Sequence, residues 1–151
     1  MRIYCDIDGV LANCRHRLHL KDEGNYEEFY KAEQLERDTV MAYGAFVVRA
    51  LSQQGANEVV LVSTRPERTR AATQRWLVRN GLPSEHLNLS YDDNMSSADM
   101  KVKLLEKIDV GGPAVFIDDD PRNIRAIEAA FPNITGMIFT SNRLDVLKEE
   151  K

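Results

Sequence analysis

A surplus of basic residues is the first thing this chain lacks. Its 20 lysines and arginines are outnumbered by 24 aspartates and glutamates, giving a formal charge of −4. That balance excludes a nonspecific nucleic-acid coat, which needs a basic surface, but not a nucleic-acid end held in a pocket. Cysteine is scarce too. Cys5 and Cys14 are the only two, which make neither a metal-ligand cluster nor a disulfide framework; Cys5 reads as a small core residue. No apolar run approaches the ~20 residues that span a bilayer, and no apolar signal-type stretch opens the sequence, so a cytoplasmic protein with no membrane partner is expected. Repeats and low-complexity tracts are also absent. At 151 residues and 43% hydrophobic content, one domain over 1–151 with a real core is expected.

What the chain does have begins at once. Residues 1–11 read Met-Arg-Ile-Tyr-Cys-Asp-Ile-Asp-Gly-Val-Leu. With a strand over Ile3 to Ile7, the period of two puts Asp6 and Asp8 on one side of the chain. Gly9 then lets the backbone turn away and leaves both carboxylates at the strand's C-terminal end. Paired carboxylates repel unless a cation or a shared proton compensates. The pattern points to a divalent metal site with a second carboxylate free for chemistry.

Other apolar runs read as strands buried on both faces: Val59–Ser63, Ala114–Asp118 and Gly136–Thr140, with a shorter one at Leu87–Ser90. Between them lie helical patterns. Met41 to Gln54 has Phe46, Val47, Ala50 and Leu51 on one face and Gly55 where a C-cap belongs. Pro66 to Asn80 opens on proline and stops at Asn80-Gly81. Asp99 to Ile108 and Arg122 to Phe131 are two more, the last with Asp120 as N-cap. The alternation predicts an α/β fold: a three-layer, Rossmann-like, mostly parallel sheet with helices on both faces. Residues 13–40 are polar, fit no strand and hold one weak helix over Tyr26 to Leu35. They read as a small cap or flap inserted after the first strand.

In parallel sheets ligands collect at the carboxyl ends of the strands. The first strand delivers Asp6 and Asp8 there, the second Ser63-Thr64-Arg65, and a late one Asp118-Asp119-Asp120. Five acids, a hydroxyl and an arginine converge on one edge, which a purely structural sheet has no reason to assemble.

In this order, Asp6-Ile-Asp8-Gly-Val-Leu, then a strand ending in Ser63, then a lysine, then Ile117-Asp118-Asp119 resembles the four-motif series of the haloacid dehalogenase-like hydrolases. The series covers nearly the whole chain. Val62-Ser63-Thr64-Arg65-Pro-Glu-Arg and Cys14-Arg-His-Arg17 look similar to the phosphatase domain of phage-type polynucleotide kinases. The resemblance implies a phosphatase with Asp6 as nucleophile and Asp8 as general acid, then base. It implies Mg²⁺ held by Asp6, the Asp8 backbone carbonyl and Asp118, with Asp119 as an additional acid. Ser63 and a lysine would neutralise the transferring phosphoryl group. Two lysines compete. Met100, Leu104, Leu105 and Ile108 set the buried stripe at about 100° per residue; Lys101 falls within it and Lys103 points away, which favours Lys101.

On the substrate side, Thr64 and Arg65 stand beside the hydroxyl strand. Arg65 suits a phosphate clamp, or alternatively an ion pair with Glu67 or an aspartate. Arg15, His16 and Arg17 follow the nucleophile closely, and Arg68, Arg75 and Arg79 share a helix face; a nucleotide or nucleic-acid 3′-phosphate fits them, and so does plain solvation. Asp92, Asp93 and Asn94 depart from the arginines that such relatives carry before the lysine, leaving mononucleotides and other small phosphate esters open. The expected partner is a phosphate-ester substrate, with any companion kinase unassigned. The rivals are a small-metabolite phosphatase and a noncatalytic Mg²⁺-binding regulatory module.

Overall fold

The computed structural model describes residues 1–140; residues 141–151, which complete the single domain expected over 1–151, lie outside the described residues. The strands are β1 (Arg2–Cys5), β2 (Ala12–Asn13), β3 (Thr39–Val40), β4 (Glu58–Ser63), β5 (Leu87–Leu89), β6 (Ala114–Asp118) and β7 (Ile134–Ile138). The helices are α1 (Leu18–Asp22), α2 (Tyr26–Phe29), α3 (Ala32–Glu36), α4 (Ala42–Ser52), α5 (Arg70–Arg79), α6 (Ser97–Glu106) and α7 (Pro121–Ala130). Five strands form one sheet in the order β5-β4-β1-β6-β7, every pairing parallel. None of the described helices is long and apolar enough to cross a membrane.

Period-two alternation divides the core between the two faces. Ile3, Cys5, Val59, Leu61 and Ile117 pack with Ala45, Val48, Trp76 and Leu77 of α4 and α5. Tyr4, Val60, Val62 and Phe116 point the other way, onto Leu104, Leu105, Ile124 and Ile127 of α6 and α7. Each central strand is covered on both sides, so its sequence reads as continuous apolar residues. This is the three-layer, Rossmann-like arrangement that the alternation of patterns predicts.

Several local expectations need correction. β1 ends at Cys5 rather than Ile7, because the Ile7 carbonyl accepts from Leu11 N and Ala12 N and folds the chain into a tight loop. In α4 the buried residues are Gly44, Ala45 and Val48, while Phe46 is 70% exposed; the residues nominated as the inner face do not all share it. Gly55 is no C-cap, since the helix closes at Gln53 in right-handed geometry. The insert at 13–40 is closed by two-residue antiparallel strands, β2 against β3, too short to leave a periodic signal. Its single expected helix is split into α2 and α3, and α1 precedes them.

The insert rests on α5. Phe29, Tyr30 and Leu35 form a small core with Ala72. Arg75 pairs with Glu36 at 2.9 Å, Arg79 donates to the Glu36 carbonyl, and Trp76 Nε1 donates to the Asp38 carbonyl at 2.8 Å. Arg75 and Arg79 of α5 therefore tie the insert down, while Arg68, expected on the same face, lies in the 3-10 turn before the helix.

One glycine fixes how closely α4 approaches the loop after β1. A Cβ at Gly44 would lie 1.8 Å from the Val10 carbonyl oxygen. Gly44→Ala is expected to cost about 2–3 kcal/mol by overpacking, measured by urea unfolding. A loss below about 0.5 kcal/mol, the scale of an ordinary surface change, would contradict that contact.

Candidate active site

Three strand ends and the start of α6 make the site. After β1 the ladder continues for one bond, Asp6 N to the Ile117 carbonyl at 2.9 Å, and so sets Asp6 beside the end of β6. Gly9 follows with φ +88, and a Cβ there would come within 2.2 Å of an Asp119 carboxylate oxygen. Glycine thus does two things at this turn: it adopts the left-handed backbone, and it leaves room for Asp119. Asp118 is fully buried at the end of β6. Its carboxylate accepts from Asp120 N at 2.8 Å and from Asn123 Nδ2 at 3.1 Å, so the first turn of α7 orients it. Asp120 caps that helix by accepting from Arg122 N.

Lys101 completes the group. Ser96 caps α6 through Asp99 N, which places Lys101 in the helix's early turns with its side chain only 2% exposed. Its ammonium lies 2.6 Å from Asp118 Oδ2 and 3.1 Å from Asp6 Oδ1. Lys103 is exposed. Burial works against the charged form of Lys101, but Asp6 and Asp118 outweigh it and hold its pKa above the usual lysine value.

Oxygens of Asp6, Asp118 and Asp119 lie within 4.8 Å of one another. Three carboxylates against one ammonium leave the cluster two positive charges short, and the proton affinities register the deficit. Burial raises Asp6 well above the ordinary carboxylate range, with Asp118 and Asp119 adding to it. Burial and the neighbouring Asp118 push Asp119 up to about 6. A hard divalent ion would supply the missing charge, and carboxylates are the donors it takes. Asn123 Oδ1, buried beside Asp118 without a hydrogen-bond partner among the described residues, offers a further polar atom.

Asp8 lies outside this cluster. Its carboxylate binds Arg65 Nη2 at 2.7 Å, Arg65 Nε at 3.1 Å and Arg17 Nη2 at 2.8 Å. The same two guanidinium groups bind Asp38, with Arg17 Nη2 at 2.7 Å and Arg65 Nη2 at 3.2 Å from Oδ2. Two acids and two arginines thus form a neutral quartet, buried except for the Asp8 side chain, which is 24% exposed to the cavity. Burial opposes the Asp8 charge, but Arg65 and Arg17 hold its carboxyl well below the usual range. Thr73 accepts from Arg65 at 3.0 Å, and the Phe29 ring lies 4.3 Å from the Arg17 guanidinium. Of the two partners considered for Arg65, an aspartate is the one it has.

Asp38 is the residue that sequence reasoning missed. It lies in a charged segment between Arg37 and Thr39, with no spacing that separates it from its exposed neighbours. Only the closure of β2 on β3 carries it into the interior, where His16 Nε2 also sits 2.8 Å from Oδ1.

A cavity of about 270 Å³ opens over all of this, lined by Asp6, Asp8, Lys101, Asp119, Thr64 and Arg15 among others. Ser63 stands just behind it, 1% exposed, with its hydroxyl accepting from Arg65 N at 3.1 Å. Arg15 is exposed on the cavity wall, whereas Arg17 is buried in the quartet and His16 is turned to Asp38.

No protein-family model matches the chain, and no curated protein matches it. Solved structures do. A chain of the Pnkp1/Rnl/Hen1 RNA repair complex is similar with TM-score 0.73 and 21% identity, over 91% of this chain and 42% of that one. This chain therefore spans less than half the length of that relative. A haloacid dehalogenase-like hydrolase, SP0104 of Streptococcus pneumoniae, is similar with TM-score 0.59 and 13% identity, over 99% and 98% of the two chains. The enzyme bt-2542 of Bacteroides thetaiotaomicron, in its magnesium complex, is similar with TM-score 0.54 and 12% identity, over 93% of each. The fold defined by these likenesses is the haloacid dehalogenase-like fold.

Removing one partner from a buried ion-pair network costs about 3–5 kcal/mol. Asp38→Asn is expected to lose stability on that scale in urea unfolding, because Asp8 alone would then face two buried guanidinium groups. A loss under about 1 kcal/mol, the value of an exposed pair, would mean that the quartet is not a buried unit.

Proposed function

We propose that this chain is a Mg²⁺-dependent phosphomonoesterase that acts through an aspartyl-phosphate on Asp6. The observation that carries the reading is the group Asp6, Asp119 and Lys101 lining one cavity, with Asp118 buried directly behind them. Asp6, Asp118 and Asp119 would hold the ion, any contribution from Asp8 coming from its backbone carbonyl; bound there, Mg²⁺ would draw charge from the phosphoryl oxygens. The magnesium complex of the similar bt-2542 enzyme supports the same choice of ion.

Asp6 is the nucleophile in this reading. Its carboxylate forms the new bond to phosphorus as the bond to the ester oxygen breaks. Lys101 holds a fixed positive charge beside the transferring group, and its ion pairs orient the attacking carboxylate. Asp8 gives a proton to the leaving oxygen and later takes one from the water that cleaves the aspartyl-phosphate. As it stands Asp8 is an ion-paired carboxylate, so to act as the acid it must first release at least one of its arginines and take up a proton from solvent. A phosphate dianion offers Arg65 and Arg17 a competing bidentate acceptor, so substrate entry would draw them away from Asp8. Ser63 and Thr64 stand at the same strand end to donate hydrogen bonds.

The substrate we favour is a nucleotide or a nucleic-acid 3′-phosphate. The RNA repair complex that contains the similar chain supports it, as does Arg15 on the cavity wall. The modest 270 Å³ of the cavity favours a second reading, a small-metabolite phosphatase.

Asp6→Asn is expected to abolish Mg²⁺-dependent phosphate release from an aryl phosphate, at least about a thousandfold below wild type given the weight of a covalent nucleophile. Unchanged release in the folded variant would sink the mechanism. Equal rates on 3′- and 5′-mononucleotides, phosphorylated oligonucleotides and sugar phosphates would favour the small-metabolite reading.

A further inference from the structure

A second cavity of about 190 Å³ adjoins the first, and its wall is aromatic. Tyr26, Tyr30 and Tyr91 line it, together with Asp92, Asp93 and Met95. Tyr30 and Thr64 line both cavities, so the two open onto one another's flank. The rings are set against each other: Tyr30 to Tyr91 is 5.6 Å between centroids at 68°, and Tyr26 to Tyr91 is 6.1 Å at 45°. A cluster built only for packing would bury its members. Tyr30 is buried, but Tyr26 is 37% exposed and Tyr91 is partly so. Burial, with a hydrogen bond to Asp93, pushes the Tyr91 phenol up to about 12.

The chemistry of this wall selects a ligand. Tyrosine faces stack on flat, π-bearing rings, at about 1–3 kcal/mol per nucleobase. Asp92 and Asp93 stand on this wall with Lys21, and carboxylates accept hydrogen bonds from the exocyclic amino groups of bases. A simple alkyl phosphate offers no flat ring to the tyrosines. We propose that the tyrosine-walled cavity is a nucleobase subsite, taking an amino-bearing base from the same substrate whose phosphate enters the acid-lined cavity. The proposal rests on the phosphomonoesterase reading and narrows it to nucleoside phosphates.

The test compares wild type, Tyr91→Ala and Tyr91→Phe on cytidine monophosphate, uridine monophosphate and glycerol phosphate, with Mg²⁺ present. In Tyr91→Ala the ratio of kcat/KM for cytidine monophosphate to that for glycerol phosphate should fall about tenfold or more, through KM. Tyr91→Phe, which keeps the ring, should hold that ratio within about threefold of wild type, on the scale of one lost hydrogen bond. Wild type should prefer cytidine to uridine monophosphate by about tenfold, the scale of one base-edge contact. An unchanged ratio in folded Tyr91→Ala overturns the subsite, and equal use of the two nucleotides overturns the role of the acids. Calorimetric titration of wild type and Tyr91→Ala with cytidine reads the subsite without turnover. If no ester is hydrolysed yet cytidine binds and Tyr91→Ala abolishes it, the phosphatase reading falls and the subsite stands. If esters are hydrolysed but cytidine does not bind wild type, the subsite falls and the phosphatase reading stands.

Discussion

One buried ammonium, placed between carboxylates from two parallel strands, is the contact on which the active edge of this sheet depends. The ends of β1 and β6 are neighbours in the sheet, so Asp6 and Asp118 arrive side by side whatever else the chain does. Without Lys101 between them their repulsion would oppose the pairing of those strands. With it, the edge is held but not neutralised, since Asp119 still leaves the group anionic. A site left in that condition suits a divalent ion, which is what the proposed phosphomonoesterase needs.

The two aspartates of the first motif solve their repulsion in different ways. Asp6 joins the anionic group with Lys101. Asp8, two residues on, turns to Arg17 and Arg65, which match it and Asp38 charge for charge. The separation assigns the two carboxylates to two electrostatic neighbourhoods, one short of positive charge and one balanced. It also makes the insert part of the site, because Arg17 and Asp38 both come from the segment closed by β2 and β3.

Much of the framework could be read from residue order. β4 and β6 are uninterrupted apolar runs because both their faces are covered, and each ends at a chemistry-bearing residue, Ser63 or Asp118. The buried stripe of α6 separated Lys101 from Lys103, since a lysine amid Met100, Leu104 and Leu105 is tolerated only with a charge partner. What was not legible has a common cause. Asp38 becomes an interior residue only through two-residue strands, and Arg17 reads as one of several basic residues until its partners are known. The exposed Phe46 misled for the opposite reason: helical phase gave no way to foresee that Gly44 and Ala45 would be the side pressed against Val10.

Rapid quenching of wild type with a phosphate ester and Mg²⁺, followed by peptide mass spectrometry, tests the central claim most directly. A transient phosphoryl group should appear on the peptide containing Asp6, be absent when Mg²⁺ is withheld and be absent in Asp6→Asn. Phosphate release without any such adduct, or an adduct on another residue that survives in Asp6→Asn, would contradict the account.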